Sequence, residues 1–340
     1  MTPPSDPTDE HSPDGPLLIG RVLDGKGGGR FISWQDAQGW QPADPREVLW
    51  LHLDRTEPGR SQWLQSQFAM PRTTAEMLTS DDTRPRAFRD GDQLVATLRS
   101  INFNPGADPE DMVSMQLWSD GKRVVTLRRH PQQTPNDVLA EIDAGKGPVD
   151  AGALITSLAQ HMVNRISRVI VDMNDAIDRL EERDFDRSDN EETLAEIVAI
   201  RRSALSLQRH MGPEHVALES ISRDAPDWFE KHDRQEIAET IALLRRFIDD
   251  IDISKESAVV LMDELRSRAL ARSEKTNRRL TLVATVFLPL SFLVGLFGIN
   301  VGGMPWADIS GHPSGFWFVT ALCAAFTIVT VYLFRRWKWM

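Results

Sequence analysis

Cysteine is nearly missing from this sequence: Cys323 is the only one. A lone thiol excludes an intrachain disulfide and a cysteine-based zinc site. A secretory signal is missing as well. Residues 1–16 (MTPPSDPTDEHSPDGP) are polar, acidic and proline-rich, with no apolar core. They read as a disordered tail, and the chain is expected to begin in the cytoplasm. Basic residues are in deficit, 39 Lys and Arg against 50 Asp and Glu, for a net charge of −11. That balance argues against a nucleic-acid partner, which calls for a basic face. It suits a soluble domain that attracts cations. Catalytic signatures are absent too: there is no nucleophile elbow and no HExxH zinc motif. The stretch Gly25–Gly29 (GKGGG) lacks the Walker spacing and its Lys-Ser/Thr ending, and reads as a turn between strands. Neither an enzyme nor a bound cofactor is expected. Energy for any transport would come from ion gradients or the membrane potential.

What is present is concentrated near the C-terminal end. Residues 280–299 (LTLVATVFLPLSFLVGLFGI) and 316–334 are uncharged apolar runs. A helix needs roughly twenty such residues to cross a bilayer core, so both read as transmembrane helices. Arg272, Lys275, Arg278 and Arg279 precede the first, and Arg335, Arg336 and Lys338 follow the second. The intervening loop, 300–315, has no Lys or Arg. The positive-inside rule then puts both termini in the cytoplasm and the loop outside. Trp306 and Trp317 at one interface, and Trp337 and Trp339 at the other, fit aromatic belts.

The rest divides in two. Residues 17–24, 46–54, 93–103, 112–120 and 122–129 read as strands. Residues 62–70, 72–79 and 136–144 read as helices, the last capped by Asn136 after Pro135. Beyond 149 the pattern is helical. One helix spans 150–183 and a second spans 191–211, stopping at Met211-Gly212-Pro213. A third begins within 227–233 and meets no breaker until Pro289. The expected fold class is an α+β membrane protein. An α/β domain (17–148) precedes a helical pair (149–232) and a stalk helix (233–279). The stalk continues into transmembrane helix 280–299, followed by a periplasmic loop (300–315), a second transmembrane helix (316–334) and a basic tail (335–340).

In the third helix Ile237, Ile241, Leu244, Ile248, Ile251, Lys255, Ala258, Met262, Leu265 and Ala269 alternate by four and three. This is a heptad seam interrupted by Lys255, expected to form an oligomeric stalk. An ordinary core helix within one subunit is the alternative. At about 1.5 Å per residue, 233–299 would extend about 100 Å. Two spans cannot enclose an ion path, so conduction would require several copies around an axis. Following the seam upward gives Asn277, Thr281, Ala284, Leu288, Ser291 and Gly295, ending near Asn300. This stripe holds no carboxylate, histidine or cysteine, as expected for a hydrated cation met by oxygen dipoles. Candidate metal ligands are Asp263 and Glu264, and Asp308 and His312 in the loop. Asp249, Asp250 and Asp252 could add to acidic rings in an oligomer, and His210 and His215 lie five apart.

The first span ends Phe297-Gly298-Ile299-Asn300, with Gly303-Met304-Pro305-Trp306 beyond. This resembles the signature of the CorA metal-ion transporters, which close their first span with Gly-Met-Asn. Ile299 in the middle position is similar to the ZntB zinc-transporter branch. The resemblance also covers Thr281–Pro289, Gly295 and the strand Val48–Asp54 (VLWLHLD). It implies a homopentameric funnel in the inner membrane, with the lipid bilayer and divalent cations as its partners. Gly298, Ile299 and Asn300 would form the outer pore mouth. Ser291 and Gly295 would line the pore, and Leu288, Leu280 and Asn277 would constrict it. Asp263 would match a regulatory carboxylate of the magnesium branch. The branch implies zinc as the transported ion, with coupling to protons. A magnesium or cobalt channel of the same superfamily is one alternative. A membrane-anchored cytoplasmic sensor or scaffold, from a different class, is the other.

Overall fold

A computed structural model describes residues 16–56, 59–108, 110–183, 190–298 and 314–336. Residues 1–15 of the expected tail, 300–313 of the expected outer loop and the terminal Trp337 and Trp339 lie outside the described residues, and residues 314–315 of that loop already belong to the last helix. The chain divides into one unit ending at Met262 and another beginning at Asp263.

The first unit is built on a seven-stranded sheet. Its strands are β1 (Leu17–Leu23), β2 (Gly29–Phe31), β3 (Val48–Asp54), β4 (Arg86–Asp90), β5 (Gln93–Ser100), β6 (Val113–Ser119) and β7 (Arg123–Arg128), in the order β2-β1-β3-β7-β6-β5-β4. The β3–β7 pair is parallel, with Leu51 opposite Val125, and the other pairs are antiparallel. The central strands are buried at nearly every position, polar residues such as Thr97, Gln116 and Thr126 included, because both faces are covered. Leu49, Leu51 and Leu53 of β3 join Val95, Trp118, Val125 and Leu127 in a core closed by three short helices. These are α1 (Trp34–Ala37), α2 (Arg60–Phe68) and α3 (Arg72–Thr79). On the intervening positions Trp50 Nε1 donates to Thr126 Oγ1 at 3.0 Å, and His52 Nδ1 lies 2.9 Å from the same oxygen. Burial pushes the His52 imidazole down to about 3, so it is neutral. The glycine stretch is indeed the β1–β2 turn. Asp24 Oδ1 accepts from the N–H groups of Lys26 and Gly28, and Gly25 and Gly27 adopt positive φ.

Four long or capping helices complete the chain: α4 (Thr134–Asp143), α5 (Ala151–Glu181), α6 (Asn190–Asp224) and α7 (Lys231–Gly298), before α8 (Ser314–Arg336). Helices α2, α4 and α6 depart from expectation in instructive ways. Helix α2 starts at Arg60, two residues early, and ends at Phe68, where Ala69 turns left-handed before Pro71. Helix α4 is capped by Gln133, and Pro135 sits inside its first turn. A proline there loses no intrahelical bond, so Asn136 is a helical residue and not the cap. Helix α6 does not stop at Gly212-Pro213 but runs to Asp224. An internal proline costs about 3 kcal/mol. Beyond it Leu218 and Ile221 are fully buried, and each such side chain stabilises by about 1.5–3 kcal/mol, which offsets the break.

The heptad seam of α7 exists, but within the first unit it is used inside the subunit. Ile237, Leu244, Ile251 and Ala258 are buried at every seventh position. The second row lies one residue earlier than expected, at Thr240, Ser254 and Leu261. Polar residues can enter it because they are satisfied. Ser254 Oγ donates to Asp250 O at 2.9 Å and bonds Asn174 Oδ1 of α5 at 2.7 Å. Lys255 therefore flanks the seam. Its Nζ reaches Gln208 Oε1 of α6 at 3.1 Å.

Candidate functional site

In the second unit, α7 and α8 are long and apolar enough to cross a membrane. At 3.6 residues per turn, the C-terminal part of α7 has two opposed stripes. Leu282, Val286, Pro289, Leu290, Leu293 and Phe297 are half-buried. On α8 the less exposed stripe is Val319, Cys323, Phe326, Thr330 and Phe334. Two helices covering each other along one seam would leave this pattern. The opposite side of α7 carries Asn277, Leu280, Thr281, Ala284, Leu288, Ser291, Gly295 and Gly298, all exposed in the single chain. Thr281 Oγ1 donates to Asn277 O at 2.9 Å, and Thr285 Oγ1 donates to Thr281 O at 2.7 Å. These hydroxyls spend their protons on the helix backbone and leave oxygen lone pairs outward. The eight residues thus form a face of small, amide, hydroxyl and leucine side chains with no charge. Ile299 and Asn300, which would complete it, lie outside the described residues, as do Asp308 and His312.

Asp263 and Glu264 are exposed, and each faces an arginine of its own helix. Asp263 is 3.9 Å from Arg266, and Glu264 is 2.5 Å from Arg268. Among the described residues neither belongs to a group of three or more converging His, Cys or carboxylate ligands. Asp249 pairs with Arg245, and Asp252 with Lys255. His210 and His215 do not meet: His210 Nδ1 lies 2.9 Å from Arg99 Nη1, and His215 faces Glu219.

Two groupings in the first unit were not anticipated. Glu214 of α6 is fully buried and its Oε2 accepts the Arg99 N–H at 2.9 Å. Burial drives this carboxyl up to about 8, against the opposing pull of the Arg99 N–H and guanidinium. The second grouping is Asp150, His232 and Asp233, whose donor atoms all lie within 4.8 Å of one another. Asp150 and Asp233 are 83 residues apart, and no local motif links them; only the start of α5 beside the start of α7 does.

Together these features describe a membrane protein of two apolar helices, one continuous with a long bundle helix, carrying a mixed αβ unit. The family described as CorA-like Mg2+ transporter protein matches residues 45–336. The divalent cation transporter CmaX of Pseudomonas aeruginosa is 34% identical over 328 residues, 95% of this chain and 97% of CmaX. A structure of full-length CmaX superposes with a TM-score of 0.83 at 32% identity, covering 97% of this chain and 100% of that one. The zinc transport protein ZntB of Pectobacterium carotovorum is 31% identical over 318 residues, 94% of each chain. The CorA magnesium transporter of Methanocaldococcus jannaschii shares the fold, with a TM-score of 0.77 over 95% of this chain and 99% of that one, at 18% identity. The chain belongs to the CorA family of divalent-cation transporters, and is a transporter and not an enzyme.

Proposed function

We propose that this chain is one subunit of a homopentameric inner-membrane transporter for zinc, with both termini in the cytoplasm. The observation that carries the reading is the uncharged, weakly polar face of α7 from Asn277 to Gly298. Two helices of one chain cannot surround an ion, so copies of this face must meet around a common axis. Oxygen dipoles and small side chains there suit a cation that keeps much of its water. The constrictions are Asn277, Leu280 and Leu288, the lining is Thr281, Ala284, Ser291 and Gly295, and Gly298, Ile299 and Asn300 form the outer mouth. A ring of Asn300 amides meets the incoming hydrated ion. Zinc is favoured by Ile299 in the family's signature and by the ZntB relatives. Coupling to protons is part of the reading because the resemblance to the ZntB branch implies it.

The test is uptake into proteoliposomes loaded with a zinc-sensitive dye, with and without a pH gradient. Wild type should admit zinc faster when a pH gradient is imposed, and Asn300→Leu should admit it at least tenfold more slowly while remaining oligomeric. Equal uptake by the variant would remove the amide ring from the mechanism. Preference for magnesium or cobalt in competition would reassign the ion. Failure to move any divalent cation, with the protein intact, would leave the spans as anchors for a cytoplasmic sensor.

A further inference from the structure

We infer that Asp150, His232 and Asp233 form a zinc-class metal site in the first unit. The two carboxylates divide their oxygens in the same way. Asp150 caps α5: its Oδ1 accepts the Ala153 N–H at 2.8 Å, and its Oδ2 turns to His232 Nε2 at 3.8 Å. Asp233 reaches back to cap α7: its Oδ2 accepts the Glu230 N–H at 2.8 Å. Its Oδ1 is buried and makes no hydrogen bond, although His232 Nε2 is 3.0 Å away, out of line for an N–H···O bond. Capping therefore accounts for one oxygen of each carboxylate and leaves the other aimed at the same imidazole nitrogen.

A buried, unbonded carboxylate oxygen is costly, and a cation between the three donors removes that cost. Ligands on a tetrahedral zinc lie roughly 3.3 Å apart, between the 3.0 and 3.8 Å that separate His232 Nε2 from the two carboxylate oxygens. Behind the ring, Glu230 Oε2 stands 3.6 Å from His232 Nδ1, beyond hydrogen-bond distance but on the side from which a carboxylate steadies a metal-bound imidazole. One nitrogen with two oxygens favours zinc over magnesium, which takes oxygen ligands and keeps its water. The imidazole is half-exposed, which provides an entry path and a place for a water ligand. Gly152 completes the pocket: a Cβ there would stand 2.0 Å from Asp233 Oδ2, so only glycine lets that carboxylate lie against α5.

The inference stands apart from the pore. It is tested on the full chain in detergent, stripped with EDTA and titrated calorimetrically with zinc chloride alone, for wild type, His232→Ala and Asp233→Asn. Both variants should bind one zinc fewer per chain than wild type, or bind that zinc at least tenfold more weakly. His232→Ala alters a half-exposed ring, so it carries the test if Asp233→Asn unfolds. A tenfold excess of magnesium should not displace the zinc that depends on His232. Unchanged zinc stoichiometry and affinity in His232→Ala would overturn the site, and displacement by magnesium would overturn its zinc-class character.

Discussion

Glu214 illustrates how much one side chain contributes to the behaviour of the fold. Its carboxyl sits at about 8 in the folded chain against an ordinary 4.5. The folded state therefore holds a proton that the unfolded chain has released between those values. Stability falls as pH rises from about 4.5 to about 8 and is flat beyond. Glu214→Gln keeps an oxygen for the Arg99 N–H and cannot ionise. The variant should melt several degrees above wild type near pH 8.5 and together with it near pH 4.5. Thermal unfolding across that range checks this, and a pH-independent offset would contradict it. The group was illegible in sequence because its burial depends on α6 continuing past Pro213 onto β4 and β5. A glutamate beside a Gly-Pro pair otherwise reads as a solvated loop end.

Among elements, legibility followed burial. Strands β3, β5, β6 and β7 could be read because apolar residues run through them. Strand β2 has only three exposed residues, and β4 (RAFRD) is charged; both are edges that bury too little to leave a pattern. Periodicity placed the α7 seam but not its partner, because a repeat states which residues share a face and not what covers it. Thr240 and Ser254 concealed the second row, since hydroxyls bonded to the preceding turn can occupy core positions. Within the first unit the seam packs against α5 and α6 of the same chain, so Leu244→Ala should cost about 2–5 kcal/mol of unfolding free energy. Ile253→Ala, at an exposed position of the same helix, should cost well under 1 kcal/mol. Denaturant unfolding followed by circular dichroism distinguishes the two. If Leu244→Ala instead dissociates the oligomer without destabilising the subunit, the seam lies between copies.

At the scale of the whole molecule, the stripe that the sequence singles out for ions is the side of α7 that its own chain leaves uncovered. Leu288 is 69% exposed, and Phe287 and Phe292 beside it are 63% and 69% exposed. Lipid can cover the phenylalanines, but it gains nothing from Asn277, Thr281 and Ser291. Polar groups within a span face protein or a water-filled path, which the proposed pentamer would give this face. The single native thiol makes the idea testable, because Cys323→Ala provides a cysteine-free background. Placed on it, Ser291→Cys should react with a small charged, membrane-impermeant thiol reagent, and reaction should block cation uptake. Leu293→Cys, on the half-buried opposite stripe, should be inert under the same exposure. If the two cysteines react equally, or only the second does, water reaches α7 from the wrong side. The transported ion would then have to pass along some other surface than the stripe ending at Asn300.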